Sequence, residues 1–185
     1  MGRVRPQGDP EQETLVFDAT PIIYLCKVGL AGKLRELRPS FRLLTTAEVY
    51  GEVYAKGAGK STIEATALKE LFDGGLIEVE SRMKRQRLVK GLRRESGIHP
   101  GEESVLSLAL SKGAIAIVDD RRARQFARAL GIRLSGTPGV VIELVKRRVI
   151  SKGEARDALE KMVDEGWYCS AKLFSALLRI VEEPV

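Results

Sequence analysis

Acidic residues recur in this sequence at places where they could act together. Asp18 closes the apolar run TLVFD, Glu48 and Glu52 lie in AEVYGEV, Glu102 and Glu103 open EESVLSLAL, and Asp119 and Asp120 follow IAIV. Taken singly, an aspartate after a strand is suited to cap the next helix, and a glutamate in a first helical turn is favoured by the helix dipole. Four such acids at one sheet edge are harder to dismiss, because their charges repel unless they are protonated or bridged by cations. Mg²⁺ and Mn²⁺ take carboxylate and water oxygens, whereas a chain with one histidine and two cysteines offers little to zinc. Such a set points to a bound hard divalent cation.

The acids can meet only if the elements carrying them converge. TLVFD (14–18) reads as a strand and ATPIIYLCKVGL as a helix, with Thr20 as N-cap and Pro21 at the first helical position. FRLLTT (41–46) repeats the pattern ahead of AEVYGEVYAKG, and LIEVE (76–80) follows the helix-like STIEATALKELFDGG. IAIV (115–118) follows the helix EESVLSLALSKG, and RLSGTPGVVIELVKRR (133–148) reads as a short strand and a helix starting near Thr137 and Pro138. ISKGEARDALEKMVDEG and SAKLFSALLRIVEE read as two closing helices. This alternation predicts a three-layer α/β/α sandwich with a mostly parallel central sheet, whose ligand site lies outside the C-terminal strand ends. Residues 1–13 are expected to form a polar N-terminal segment and 14–185 one domain that includes the closing helices.

Position partly resolves the doublets. With Thr45 as N-cap, Glu48 falls at the third helical position and completes a capping box, leaving Glu52, one turn on, as the freer carboxylate. Glu102 and Glu103 share a first turn, and only packing decides which faces the sheet edge. Asp119 and Asp120 stay open between helix capping, pairing with Arg121, Arg122, Arg124 or Arg128, and holding a metal.

Other features exclude alternatives. KGAGKST (56–62) has the ending of a phosphate-binding loop, but Tyr54 stands where that loop needs glycine and a helix precedes it in place of a strand. His99, ahead of Pro100, reads as a loop residue, and one histidine leaves no Ser–His–Asp set to build. A phospho-acceptor site of the doubly wound type would need a lysine at the end of a late strand, where RLSGTPG has none. SRMKRQRLVKGLRR (81–94) holds seven basic residues and no acid, a solvated face or a phosphate-contacting surface leading into the helix of Glu102.

With 185 residues, 44% hydrophobic and 30% charged, the chain is long enough to bury a core. Its formal charge of +6 suits a polyanionic partner, while 5% aromatic residues argue against a stacking-based single-strand binder. Cys26 and Cys169 give no disulfide framework, no apolar run reaches membrane-span length, and MGRVRPQGDPEQE lacks a signal peptide's apolar core, so a cytoplasmic protein is expected.

The ordered acids resemble the motifs of the PIN-domain nucleases, particularly the small prokaryotic members of toxin–antitoxin modules and their less characterised relatives. LVFDATPIIYL resembles the family's opening strand, with Asp18 and the following hydroxyl residue Thr20, and AEVYGEV resembles its second motif, which puts the acid at Glu52. HPGEESVLSLAL resembles the third, with Glu102 in the acidic place and Ala109 at the small helix position. AIAIVDDRRAR resembles the fourth, with Asp120 as the acid and Asp119 at a place where the family tolerates many residues. The third acid is Glu where Asp is commoner, and Val118 stands where Thr usually does. The resemblance spans roughly residues 14–148. It implies a Mg²⁺- or Mn²⁺-dependent ribonuclease that leaves a 5′-phosphate, with Asp18, Glu52, Glu102 and Asp120 as metal ligands. It further implies a homodimer often held by an antitoxin protein, with Arg121, Arg122 or the 81–94 cations positioning the RNA. The alternative is a protein that keeps the fold, binds nucleic acid or an antitoxin, and cleaves weakly or not at all.

Overall fold

A computed structural model describes residues 12–57, 62–81 and 97–183 of the chain. The apolar runs form the strands: β1 (Glu13–Phe17), β2 (Phe41–Thr46), β3 (Glu78–Glu80), β4 (Ile115–Ile117) and β5 (Leu134–Ser135). They make one sheet in the order β3-β2-β1-β4-β5, and every neighbouring pair is parallel. Leu15 pairs in register with Leu43 on one side and Ile115 on the other, so β1 lies at the centre. Leu15, Val16 and Phe17 are all buried, and because successive strand residues point to opposite faces, helices cover both faces of the sheet. The expected α/β architecture is the observed one.

The helices are α1 (Ala19–Lys27), α2 (Ala47–Gly57), α3 (Thr62–Phe72), α4 (Pro100–Lys112), α5 (Arg121–Ala129), α6 (Thr137–Lys146), α7 (Lys152–Asp164) and α8 (Ala171–Glu182). A 3₁₀ helix over Ala31–Leu37 buries Leu34 and Leu37 between β1 and β2 in the chain, an element that the sequence reading did not contain. Two helix starts also differ from expectation. The N-cap of α1 is Asp18, with Thr20 already inside the helix, because the extended backbone at Asp18 (φ −82°, ψ 168°) leads straight from β1 into the first turn. The helix α4 begins at Pro100, with His99 as its N-cap, and ends at Gly113, whose φ of 60° is the left-handed conformation that glycine adopts without strain.

The closing helices share the main core: Leu159 and Met162 of α7 and Leu177 and Val181 of α8 join the cluster that contains Leu144 of α6 and Leu25 of α1. No helix among the described residues is long and apolar enough to cross a membrane. The basic run 81–94 and the loop 56–62 lie largely outside the described residues.

Because β1 connects onward to β2 and β3 on one side while β4 and β5 lie on the other, the chain changes direction at β1. In open parallel sheets that point leaves a crevice beyond the C-terminal strand ends, and here those ends carry Asp18 and the pair Asp119–Asp120.

Candidate active site

Asp18 follows the last residue of β1 and is held to β4 by its amide, which donates to the Ile117 carbonyl at 3.0 Å. Only 4% of it is exposed, and its side chain makes no capping bond to α1. Burial pushes its carboxyl up to about 7, against the pull of the Ala19 amide. Glu102, Glu52 and Asp119 add their negative fields.

Glu52 lies on the second turn of α2, a helix fixed by a directional chain of hydroxyls. The Val49 amide donates to Thr46 Oγ1 at 3.2 Å, and Thr46 Oγ1 is 2.7 Å from Ser104 Oγ on α4. Ser104 spends its proton on the Gly101 carbonyl at 2.6 Å, so Thr46 is the donor between the two. Thr46, not Thr45, therefore caps α2, and Glu48 falls at the second helical position, outside a capping box. Thr45 turns inward and donates to the Phe17 carbonyl at 2.7 Å, bracing the residue next to Asp18. Glu52 Oε2 is 3.5 Å from His99 Nδ1, and a Cβ on Gly101 would lie 2.8 Å from that same oxygen. The first turn of α4 comes this close to Glu52 because residue 101 has no side chain.

Of the pair on α4, Glu103 is buried and Glu102 half-buried at the crevice. Glu102 Oε2 accepts from the His99 amide at 2.9 Å, and His99 Nδ1 accepts from the Gly101 amide at 3.4 Å, so His99 is a helix cap and no simple loop residue. Burial raises the Glu102 carboxyl above its ordinary value, helped by Asp120 and Glu52 and opposed by its bond to the His99 amide and by the His99 side chain.

The aspartate doublet divides its work. Asp120 is exposed and caps its own helix, Oδ1 accepting from the Ala123 amide at 2.8 Å. Asp119 turns inward and receives three donors: the Thr137 amide at 2.8 Å, the Thr137 hydroxyl at 2.5 Å and the Trp167 indole at 3.1 Å. It caps α6, eighteen residues ahead of which it lies, and ties the segment before α8 to the end of β4. No arginine hydrogen-bonds to it among the described residues. Arg124 instead donates Nη1 to the carbonyls of Val118 and Ser135, at 2.8 and 2.7 Å, joining the ends of β4 and β5. Burial lowers its pKa, with the Arg128 charge acting in the same direction and Asp119 against both. A Cβ on Gly136 would stand 2.6 Å from Asp119 Oδ1 and 3.2 Å from Arg124 Nη1, so glycine is what lets β5 pass this junction.

Asp18, Glu52 and Glu102 thus bear on one another electrostatically, and Asp120 joins through Glu102. Among the described residues, no three His, Cys, Asp or Glu side chains are grouped tightly enough to hold a metal ion as they stand. Glu102 and Asp120 are turned to helix-capping amides. The donor set itself is all carboxylate oxygen, and a hard divalent cation would offset both the burial and the neighbouring negative charges that raise the Asp18 carboxyl, so the residues fit Mg²⁺ or Mn²⁺ in their chemistry. Trp167 and Ser104 were not singled out from the sequence, Thr137 was read only as a helix start, and Arg124, read as a possible partner of the aspartates, bonds to backbone carbonyls instead. Nothing local in the sequence marks Trp167, 48 residues after Asp119, as its partner.

Comparison with known proteins agrees with the geometry. Residues 14–183 match the family described as DUF3368: PIN domain. Among solved structures the chain resembles PAE2754 from Pyrobaculum aerophilum, with a TM-score of 0.51 and 18% identity, over 75% of this chain and 98% of that one. That likeness concerns the fold. No curated protein matches the sequence. A match over nearly the whole chain, on a parallel sheet with acids at its central C-terminal edge, means that this protein belongs to the DUF3368 family of PIN domains.

Proposed function

We propose that the protein is a divalent-metal-dependent endoribonuclease whose working residues are Asp18, Glu52, Glu102 and Asp120. PIN domains are generally nucleases, and the observation that carries the reading here is Asp18: a carboxyl buried at the end of the central strand and pushed up to about 7 by burial and by three acidic neighbours. Left without a counter-charge, such a cluster destabilises the fold at neutral pH, and that cost is the mark of a site kept for function.

The four acids would hold a Mg²⁺ or Mn²⁺ ion, which when bound supplies Lewis-acid chemistry that activates water and offsets charge developing on the phosphodiester. The protein's own part is positional. Asp18 is fixed by β1 and its bond to β4, Glu52 is held beside α4 by the Thr46–Ser104 chain, and Asp120 is set by the α5 N-terminus. Arg121 and Arg128 line the cleft beside Glu102 and Asp120 and suit a phosphate backbone. A toxin role, an antitoxin partner and a homodimer follow from the resemblance to toxin-type PIN proteins and form part of this proposal.

Purified protein is expected to cut single-stranded or structured RNA with Mn²⁺ or Mg²⁺, and to stop cutting in EDTA or on Asp18→Asn or Asp120→Asn. Cleavage that survives both substitutions and EDTA would overturn the assignment. A second reading, a PIN domain that binds RNA or an antitoxin without cutting, is favoured by the capping bonds that occupy Glu102 and Asp120. Salt-sensitive RNA binding with no cleavage under any divalent metal would select it.

A further inference from the structure

Beyond the acids lies a cleft of about 690 Å³. One wall is α5, from which Arg121, Arg124 and Arg128 face the cleft at the i, i+3, i+7 spacing of a single helical face. Arg124 is committed to the Val118 and Ser135 carbonyls, whereas Arg121 and Arg128 are exposed and make no ion pair or side-chain hydrogen bond among the described residues. Two turns of helix, roughly 10 Å of rise, separate their positions on α5.

The segment between α7 and α8, which carries Tyr168, lines the same cleft. The Tyr168 side chain lies 94% exposed and has no ring partner among the described residues. An exposed aromatic ring is not by itself informative, but the backbone beneath this one is fixed on both sides. Trp167 is buried, its amide donates to the Met162 carbonyl at 2.8 Å and its indole to Asp119 at 3.1 Å. Ser170 caps α8 by accepting from the Leu173 amide at 3.2 Å. The backbone that carries this ring is thus fixed in the lining of the same cleft as Arg121, Arg128, Glu102 and Asp120.

We infer that Tyr168 is a base-stacking platform, on which one unpaired base of a single-stranded RNA rests while its flanking phosphates lie on Arg121 and Arg128. Stacking on a tyrosine face needs a base released from a duplex, and a guanidinium fork suits phosphate oxygens, so the ring and the arginines together select a single strand over a helix. An acidic polypeptide would satisfy the arginines but not the ring, and it would meet Glu102 and Asp120, which line the same cleft. The low aromatic content of the chain argues against binding built on stacking throughout, and the stacking inferred here is of one base on one ring. This inference rests on reading the cleft as a nucleic-acid-cleaving site, and it adds how the strand is chosen and held.

The test is binding, measured with the full chain in EDTA so that no strand is cut, using a short fluorescein-labelled single-stranded oligoribonucleotide. Tyr168→Ala should weaken binding by at least about fivefold, the lower end expected for one stacked base, and Tyr168→Phe, which keeps the ring, should restore it to within about twofold. An abasic site walked along the oligonucleotide should reproduce the loss at one position in the wild type and cause no further loss there in Tyr168→Ala. Arg121→Ala and Arg128→Ala should each lower the salt slope of binding by about 0.7. Wild-type affinity in Tyr168→Ala, or an abasic penalty undiminished by that substitution, would overturn the inference and leave the exposed ring to a polypeptide partner. Because no cleavage is read, a protein that binds through Tyr168 yet never cuts with Mn²⁺ would defeat the nuclease assignment alone. One that cuts through Asp18 with no dependence on Tyr168 would defeat only the platform.

Discussion

At the scale of single residues, the site is defined by which carboxylates are employed in holding the fold and which are crowded. Asp18 belongs to the second kind, and its titration makes a prediction. A carboxyl raised to about 7 in the folded state, against an ordinary aspartate value of ~3.9, keeps its proton when folded at pH values where the unfolded chain has lost it. The folded state therefore binds more protons than the unfolded across this window, and stability falls as pH rises from about 4 to about 7, by an amount on the order of 3–4 kcal/mol. Thermal melts of metal-free protein should show that decline, Asp18→Asn should flatten it, and Mn²⁺ at pH 8 should restore stability to the wild type more than to Asp18→Asn. The doublet gives a second expectation. Asp119→Ala removes a cap and two further bonds from a half-buried junction and should cost about 2–3 kcal/mol in urea denaturation, whereas Asp120→Ala removes one exposed cap and should cost about 1 kcal/mol. Equal costs would contradict the division of labour. The sequence could say that both aspartates follow a strand, but not which one turns inward, because Thr137 and Trp167 reach Asp119 from 18 and 48 residues away.

At the scale of elements, the apolar runs of β1, β2 and β4 were legible to within a residue or two, since buried parallel strands read as short continuous hydrophobic segments. Caps were less legible. Thr45 and Thr46 are equally good cap residues in sequence, and the choice falls on Thr46 because Thr45 is drawn to the Phe17 carbonyl of the adjacent strand, a partner 28 residues earlier. The 3₁₀ helix over Ala31–Leu37 went unread because seven residues carry too little period to distinguish from a loop. What joins α2 to α4, and so Glu52 to Glu102, is the hydroxyl chain from Val49 through Thr46 and Ser104 to Gly101. A double-mutant cycle of Thr46→Val and Ser104→Ala should give a coupling energy of about 1 kcal/mol in stability, within the range for directly bonded partners. Additive effects would mean that the two helices are held by apolar packing alone.

At the scale of the whole molecule, the strand order places β1 at the point where the chain reverses direction, and this topology gathers acids that lie more than a hundred residues apart in sequence. The alternation of strands and helices was enough to foresee that edge, and the order of the acids was enough to suggest the family. The closing helices add what neither foresaw, a return of the chain that brings Trp167 onto Asp119 and Tyr168 into the lining of the cleft. The central claim is that Asp18, Glu52, Glu102 and Asp120 converge on one divalent ion. Crystals soaked in Mn²⁺ and measured at the manganese absorption edge test it most directly. The expected result is an anomalous peak between these four carboxylates, with Glu102 or Asp120 turned from its capping amide to meet it, and no peak in Asp18→Asn crystals. A wild-type map with no manganese at this edge of the sheet, from crystals that take up the ion elsewhere, would contradict the account.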